Sequence, residues 1–234
     1  MKAFVLAAGL GTRLRPLTDH VPKCLVAVRG RPLLDVWLDG LREAGVDEVL
    51  VNVHHMADRV RAHLAAHRGA PRVRVSHEPT LLGSAGTLVA NRDFVGSDEV
   101  FLAVNGDDLT DFDVRELVSA LERAPGAEAA IAVFHAPRPE ACGILEVTGG
   151  VVTSFEEKPS APRSDLANAG MYAFRRSVLD LVPERTPVDI GTDLLPLLVG
   201  RAVAVPVGDA FLLDIGTPEA LSRAEAEWPD RGVA

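Results

Sequence analysis

Hydrophobic and polar positions in the first 135 residues follow two alternating patterns. Short apolar runs, which are typical of buried strands, occupy residues 3–8, 48–53, 72–76, 100–104 and 129–133. Between them, apolar residues three and four positions apart indicate helices at residues 33–44, 57–67, 85–94 and 114–123. Strands that alternate with helices predict βαβ units. We therefore expect an α/β fold with a mostly parallel sheet and helices on both faces.

The pattern changes after about residue 135. Strand-like runs at 143–147, 151–157 and 170–174 follow closely on one another, so we expect a small inserted β-rich section. Helical spacing returns at 178–182 and 192–199, strands are predicted at 202–207 and 210–214, and a closing helix starts at Pro218 and ends near Trp228. We expect one domain over residues 1–234, in three parts that cover about 1–134, about 135–216 and 217–234.

Composition narrows the range of partners. The formal net charge of −9 argues against nucleic acid, because a phosphate backbone is bound by a basic face. No apolar run approaches the roughly 18 residues that span a bilayer, and no signal-peptide pattern is found, so we expect no membrane partner. Two cysteines, Cys24 and Cys142, make neither a disulfide framework nor a CxxC metal motif. The expected location is cytoplasmic.

A glycine-containing loop follows the first strand. Residues 6–23 read LAAGLGTRLRPLTDHVPK, in which Gly9 and Gly11 precede the cations Arg13 and Lys23. Glycines let backbone N–H groups approach phosphate oxygens, and the cations neutralise the phosphate charge. The spacing excludes a P-loop, which needs GxxxxGK[ST], and Leu14 stands where a dinucleotide fingerprint needs its third glycine.

Residues 9–23 resemble the signature GxGTRLxPxT…PK of the sugar-1-phosphate nucleotidyltransferases, or NDP-sugar pyrophosphorylases. The resemblance implies a Rossmann-like, glycosyltransferase-A-like fold, with the nucleotide bound by residues 1–134 and the sugar phosphate by residues 135–216. It also implies that an NTP and a sugar 1-phosphate react to give an NDP-sugar and pyrophosphate. Because the chain has no hexapeptide β-helix repeat of the kind fused to some relatives, we expect it to be the catalytic core alone.

The resemblance also implies roles for individual residues. Arg13 would stabilise the departing β,γ-phosphates, and Lys23 the α-phosphate and its transition-state charge. A phosphate oxygen of the sugar phosphate would attack the α-phosphorus in line, so no general base is required. The residues expected to contact the nucleotide are Ala7, Ala8, Gly9, Gly11, Thr12, Glu78, Gly83 and Asn105.

Two aspartates follow predicted strands and are candidates for holding Mg²⁺. Asp107 comes after the strand at 100–104, in the sequence Asn105-Gly106-Asp107, and Asp214 ends the strand at 210–214. Carboxylates at two strand ends can share one Mg²⁺ through oxygen ligands. Both match metal-binding positions of the family that the chain resembles. We interpret Asp108 and Asp111 as turn formers or helix caps.

The sugar phosphate is expected to bind in the second half of the chain. Residues 155–159 read FEEKP and resemble the family's EKP motif, which implies that Glu157 bonds sugar hydroxyls and Lys158 binds the sugar phosphate. Asn168 lies in a segment that resembles the (N/V)xG lining of the sugar pocket. Gly143 is placed either where a backbone amide meets the sugar or in an ordinary β-turn.

Residues 78–86, EPTLLGSAG, resemble the base-recognition loop of the guanylyltransferase-like members, ExxLGTAG, with Ser84 in place of threonine. A Glu78 carboxylate could accept both N–H donors of guanine, whereas uracil and thymine suit an amide, and the chain has no glutamine. This favours GTP with a manno-configured sugar, mannose or a heptose. Base contacts through the backbone and a UTP or dTTP reaction with glucose 1-phosphate are the alternatives.

Other reactive side chains have structural interpretations. His54 and His55 are adjacent on a strand end and point to opposite faces, which is a poor geometry for binding one metal. Cys24 lacks a paired histidine motif, so a nucleophilic role is not expected. A nicotinamide-dependent dehydrogenase and a non-catalytic nucleotide-sugar sensor are the competing functions. The strand at 203–207 and the last helix are candidate surfaces for a homo-oligomer.

Overall fold

The computed structural model describes residues 1–229, over which thirteen strands and six α-helices follow one another. The strands are β1 Lys2–Leu6, β2 Ala27–Val28, β3 Arg31–Pro32, β4 Glu48–Val53, β5 Arg72–His77, β6 Val100–Asn105, β7 Asp108–Thr110, β8 Ala129–His135, β9 Gly143–Thr148, β10 Val151–Glu157, β11 Leu166–Arg175, β12 Ala202–Pro206 and β13 Leu212–Asp214. The helices are α1 Leu33–Glu43, α2 Ala57–Ala66, α3 Ser84–Ala90, α4 Arg92–Val95, α5 Arg115–Arg123 and α6 Pro218–Glu227. Residues 230–234 of the expected C-terminal tail lie outside the described part.

Nine strands form one sheet in the order β5-β4-β1-β6-β11-β8-β12-β10-β9. The pairs among β5, β4, β1 and β6 are parallel, as is β8 with β12, whereas β11 runs antiparallel to both β6 and β8. The predicted α/β class is confirmed, and the sheet is mixed. The β-rich region predicted as an insertion extends this same sheet, because β11 lies between β6 and β8.

Apolar residues on alternating faces of the central strands build a core on each side of the sheet. Ala3 and Val5 of β1 face one core, which contains residues of α1, α2, α5 and α6, while Phe4 faces the other, which contains residues of α3 and α4. Because β1 and β6 are buried on both faces, their sequences are continuously apolar instead of alternating. Within residues 1–229, no helix combines the length and the apolar character needed to cross a membrane.

Several predicted helices are shorter or tighter than expected. The helix predicted at 85–94 is interrupted at Asn91, whose side-chain amide donates to Thr87 O. The helices predicted at 178–182 and 192–199 are 3-10 turns at Arg176–Asp180 and Leu195–Leu198, with a π-helical turn at Ile190–Leu194 before the second. Pro196 has no N–H to donate, which prevents a continuous α-helix there.

Three strand predictions also change in the structure. The strand at 170–174 starts earlier, at Leu166, because β11 continues through an irregularity between Asn168 and Tyr172. The strand at 210–214 is reduced to β13, which pairs with β7 in a separate two-stranded ribbon. The candidate oligomer strand at 203–207 is β12, which lies inside the sheet between β8 and β10. It pairs with β8 along its whole length and with β10 through Val203 and Val151, so one edge is fully paired and the other is paired at one position.

Phe101→Ala should destabilise the fold by about 3–5 kcal/mol, because it leaves a cavity among buried rings. Phe101 is fully buried, and its ring centroid lies 5.6 Å from that of Phe4 and 5.8 Å from that of Phe174. Urea unfolding followed by circular dichroism measures the loss. The control Leu197→Ala truncates a side chain that is 45% exposed and should cost far less. Equal losses in the two variants would contradict a packed ring cluster at Phe101.

Candidate active site

The loop after β1 has unused backbone donors. Ala7 N–H donates to Asn52 Oδ1 at 2.7 Å, whereas the N–H groups of residues 8–11 donate to no acceptor among the described residues. Gly11 has φ +63, and a Cβ there would lie 2.9 Å from Thr18 Cγ2. Only glycine fits this close approach, in which Thr18 Oγ1 donates to Gly11 O at 2.7 Å. Free amides at the carboxyl end of a strand suit a phosphate group.

Lys23 is the centre of the charged cluster beside this loop. Its side chain is 7% exposed, and Nζ lies 2.7 Å from Asp107 Oδ2 and 3.1 Å from Asp214 Oδ1. Arg13 Nη2 lies 3.0 Å from Asp214 Oδ2. The structure thus brings together the four charged residues that the sequence places at the reaction centre, from three separate segments of the chain. A Cβ on Gly216 would lie 2.6 Å from Arg13 Nη2, so this glycine, which we did not predict, makes room for the cluster.

The charges of the cluster stabilise one another. Burial acts to lower the pKa of Lys23, but Asp107 and Asp214 outweigh it and hold that pKa above its ordinary value. Burial acts to raise the pKa of Asp214, but Lys23 and Arg13 hold it below its ordinary value. Lys23 and Asp214 therefore both carry their charges at neutral pH.

Asp108 is part of the same cluster, and its interpretation as a turn former is wrong. It is a strand residue of β7 and pairs in register with Asp214 of β13. Burial raises its pKa well above the ordinary value, and the charges of Asp107 and Asp214 raise it further. The predicted nucleotide contact Asn105 lies beside it, and a Cβ on Gly170 would come within 2.3 Å of Asn105 Nδ2 and 2.8 Å of Asp108 Oδ2.

The two outer carboxylates offer oxygen ligands that could hold a divalent cation. The side chains of Asp107 and Asp214 are 43% and 44% exposed, so their oxygens reach solvent while Lys23 holds them together. Hard carboxylate oxygens suit Mg²⁺, which commonly keeps several waters and takes one or two protein carboxylates with substrate phosphates. Among residues 1–229 no group of three or more His, Cys, Asp or Glu could hold a metal, so the protein would supply a pair.

Glu157, the predicted sugar ligand, ends β10 opposite Gly143 of β9. A Cβ on Gly143 would lie 2.6 Å from Glu157 Oε2, and one on Gly191 would lie 2.8 Å from the same atom. The carboxylate therefore lies close to two glycine backbones. No motif in the sequence predicts that Gly191 contacts this carboxylate. Lys158 follows with φ +49, a left-handed conformation that is uncommon outside glycine, and its side chain is two-thirds exposed.

Asn168, which is predicted to line the sugar pocket, makes two hydrogen bonds within β11. Its Nδ2 donates to the Tyr172 hydroxyl at 2.7 Å, and its Oδ1 accepts from Gly170 N–H at 3.0 Å. Burial raises the pKa of Tyr172, and the carboxylates of Asp108 and Glu157 raise it further. Asp108 and Glu157, which come from different parts of the chain, therefore both disfavour ionisation of the Tyr172 hydroxyl.

Glu78 occupies a different place from the one predicted. It is 2% exposed, and its carboxylate accepts from Asn52 Nδ2 at 2.9 Å, Thr87 Oγ1 at 2.6 Å and Leu82 N–H at 3.1 Å. These bonds occupy the carboxylate inside the fold, which contradicts the expectation that it reads a base directly. The same Asn52 accepts the Ala7 N–H, so Glu78 holds the side chain that binds the start of the loop after β1.

Gly83 also has a packing role. Its φ is +79, and a Cβ there would lie 2.3 Å from Val188 O. The N–H groups of Ala85 and Gly86 donate to the same carbonyl at 3.0 Å each. The start of α3 is therefore covered by the backbone of residue 188, a contact that no local pattern in the sequence indicates.

His54 and His55 are half-buried and contact backbone carbonyls, and Cys24 is buried. His54 Nδ1 lies 2.7 Å from Glu78 O, and His55 Nε2 lies 3.4 Å from Thr18 O. Burial raises the pKa of the Cys24 thiol to about 12, so it is protonated at neutral pH. Neither observation favours metal binding or nucleophilic catalysis by these residues.

Comparisons with known proteins point to one family. The family model described as nucleotidyl transferase matches residues 2–231. Mannose-1-phosphate guanylyltransferase catalytic subunit beta of Xenopus tropicalis is 34% identical over 226 residues, which cover 94% of this chain and 62% of that protein. UTP–glucose-1-phosphate uridylyltransferase of Synechocystis is 32% identical over 248 residues, 99% of this chain and 60% of that protein. The chain thus spans about 60% of the length of these curated relatives.

The fold also matches a solved structure. A Bacillus anthracis protein, provisionally described as a glucose-1-phosphate thymidylyltransferase and crystallised with a sucrose, superposes with a TM-score of 0.84. The match covers 100% of this chain and 97% of that chain at 23% sequence identity. At this identity the likeness concerns the fold.

Glu78→Ala should lower the free energy of unfolding by about 1–3 kcal/mol, because Asn52, Thr87 and Leu82 would lose a buried acceptor. Chemical denaturation measures the change. Glu140→Ala, which removes an exposed carboxylate from a turn, is the control and should have little effect. A Glu78→Ala variant as stable as the parent protein would show that the carboxylate is not part of a buried network.

Iodoacetamide at pH 8 should modify Cys142 and leave Cys24 unmodified in the native protein. Cys24 is 2% exposed with its pKa raised to about 12, whereas Cys142 is partly exposed with a pKa that burial raises less. Mass spectrometry of tryptic peptides measures both sites, and urea-unfolded protein is the control in which both should react. Rapid native modification of Cys24 would contradict its placement.

Proposed function

The chain belongs to the nucleotidyl transferase family, and on that premise we propose that it transfers a nucleotidyl group from an NTP to a sugar 1-phosphate and releases pyrophosphate. The observation that carries the proposal is the buried Lys23 ammonium between Asp107 and Asp214, beside a loop with free backbone amides. Such a centre offers positive charge and N–H donors to phosphates, and oxygen ligands to a divalent cation. Degenerate phosphate ligands would mark a non-catalytic sensor, whereas this chain keeps all five predicted charged ligands, Arg13, Lys23, Asp107, Lys158 and Asp214.

The chemistry requires positioning more than proton transfer. A phosphate oxygen of the sugar 1-phosphate forms a bond to the α-phosphorus, and the bond from that phosphorus to the bridging oxygen of the β-phosphate breaks. The electron pair leaves with pyrophosphate, so no base is consumed. Lys23 would neutralise charge at the α-phosphate, and Arg13, whose side chain is 64% exposed, would reach the departing phosphates.

Mg²⁺ is the proposed cofactor, held by Asp107 and Asp214. When bound, it would neutralise phosphate charge at the reaction centre. Without it, Lys23 and Arg13 are paired with Asp107 and Asp214, so the cluster has no surplus positive charge for polyanionic substrates. A divalent cation held by the two carboxylates would supply that charge.

The sugar 1-phosphate would bind at Glu157 and Lys158. No side chain among the described residues donates a hydrogen bond to the Glu157 carboxylate, and Lys158 Nζ lies 3.9 Å from it. Glu157 can therefore accept sugar hydroxyls, and the exposed Lys158 ammonium can meet the phosphate. Asn168 retains one amide hydrogen for a ligand while its other bonds hold β11 in shape.

GTP with a manno-configured sugar 1-phosphate is the favoured substrate pair. With Glu78 buried, the support is the resemblance of residues 78–86 to a guanylyltransferase-like loop and the similarity to mannose-1-phosphate guanylyltransferases. UTP with glucose 1-phosphate is the second candidate, because the Synechocystis uridylyltransferase is nearly as similar. The two free cysteines favour a reducing, cytoplasmic location. The strand at 203–207 and the last helix are the candidate surfaces for a homo-oligomer.

Pyrophosphate release with Mg²⁺ tests the proposal directly. Four NTPs and dTTP are each combined with mannose, heptose, glucose and galactose 1-phosphates, and product NDP-sugars are identified by mass spectrometry. Release confined to GTP with a manno-configured sugar would support the full proposal. Release with UTP or dTTP would keep the reaction and overturn the base assignment. A folded protein that is silent in every combination would contradict the proposed reaction.

Lys23→Ala should lower kcat by about 10²–10³, the usual scale for removing one preorganised charge contact. Circular dichroism establishes that the variant is folded, and steady-state kinetics with the active substrate pair measures kcat. The control is Arg92→Ala, which removes an exposed cation paired with Asp180 and should leave kcat unchanged. A folded Lys23→Ala variant with most of its activity would remove Lys23 from the catalytic centre.

A further inference from the structure

The loop at residues 82–86 is attached to a distant segment, residues 188–191. Val188 N–H donates to Leu82 O at 2.9 Å, and Val188 O accepts the N–H groups of Ala85 and Gly86. Gly83 approaches the same carbonyl so closely that no Cβ would fit between them. The two segments are therefore joined by backbone bonds, although 105 positions separate Ser84 from Asp189.

The Ser84 side chain provides the polar part of this attachment. Its backbone N–H and its hydroxyl donate to Asp189 Oδ1 at 3.1 and 3.2 Å, and its Oγ accepts Ile190 N–H at 2.7 Å. Ile190 is 2% exposed, so water cannot readily replace the hydroxyl as its acceptor. Asp189 is held in turn, because its N–H donates to Asp193 Oδ2 at 2.8 Å.

The next residue along this segment contacts the sugar side of the site. Gly191 follows Ile190, and its backbone lies so close to Glu157 Oε2 that a Cβ would come within 2.8 Å. Gly143 also limits this carboxylate, because a Cβ there would come within 2.6 Å of the same oxygen. A shift of the 188–191 segment by a few tenths of an ångström would therefore change where the Glu157 carboxylate lies.

We propose that Ser84 and Asp189 are a positioning pair that couples the loop at 82–86 to Glu157. Through this pair, Ser84, a residue of the predicted base-recognition loop, sets the affinity for the sugar 1-phosphate. This inference rests on the proposed function. Neither residue needs to contact the sugar phosphate, because Ile190 and Gly191 transmit the position of the pair to the carboxylate. Ser84 stands where the resembled loop has threonine, which keeps the same hydroxyl.

Ser84→Ala should raise the KM for the sugar 1-phosphate about five- to tenfold, the scale of one lost hydrogen bond, with less than about a twofold change in kcat and in the KM for the NTP. Asp189→Ala should have the same effect, and the double variant should add little, because both changes break one connection. Ser84→Thr keeps the hydroxyl and should have the same KM as the parent protein. Ser222→Ala, an exposed serine on α6, and Asp180→Ala, an exposed aspartate, are the matched controls.

Equilibrium binding provides a readout besides activity. Isothermal titration of the sugar 1-phosphate into protein saturated with an α,β-methylene NTP, which cannot release pyrophosphate, should show the same weakening in Ser84→Ala. An effect confined to NTP affinity would overturn the proposal by making Ser84 a nucleotide contact. Equal loss for both substrates with a lower Tm, or additive effects of the two variants, would reduce the pair to a structural role.

The proposed function and the coupling can fail separately. If the parent protein neither binds a sugar 1-phosphate nor releases pyrophosphate with any substrate pair, the function fails and the coupling with it. If the parent protein is active and Ser84→Ala binds the sugar 1-phosphate as tightly as the parent, only the coupling is overturned.

Discussion

The arrangement of this site depends on one buried cation. Lys23 is almost fully withdrawn from water, a state that costs free energy unless opposite charges surround it. Asp107, in the turn between β6 and β7, and Asp214, at the end of β13, provide those charges. The pairing of Asp108 with Asp214 in the ribbon of β7 and β13 keeps the two carboxylates near each other. The ion cluster therefore ties the N-terminal loop to both carboxylates, and each partner is placed by the others.

Glycines determine how closely the rest of the chain approaches this cluster. Gly216 leaves room for Arg13 and Asp214, Gly170 for Asn105 and Asp108, and Gly143 and Gly191 for the Glu157 carboxylate. At each of these places a Cβ would lie under 3 Å from a polar atom of the site. The buried network of Asn52, Glu78 and Thr87 binds the N–H of Ala7, the first residue after β1. This contact fixes the direction of the free amides that follow in the loop.

Features that depend on local sequence could be predicted, and those that depend on distant contacts could not. The central strands and α1, α2 and α6 are evident from apolar spacing. The glycine loop with Lys23 is evident from a dense local motif, and Asp107 from the Asn-Gly-Asp sequence that follows a predicted strand. The position of β11 between β6 and β8 follows from pairing over long sequence separations, which periodicity does not encode. Glu78 was misassigned for the same reason: its partners Asn52 and Thr87 come from other elements, and a carboxylate in a loop pattern gives no sign of being enclosed.

The central claim is that substrates react directly with each other in a site that supplies charge and position but no covalent nucleophile. Stereochemistry at the α-phosphorus tests this most directly. The reaction is run with one diastereomer of the α-thio analogue of the active NTP, and the configuration of the product NDP-sugar is determined by ³¹P NMR. A single in-line displacement predicts inversion. Retention would reveal two displacements and a nucleotidyl–enzyme intermediate, which would contradict a direct reaction between the substrates.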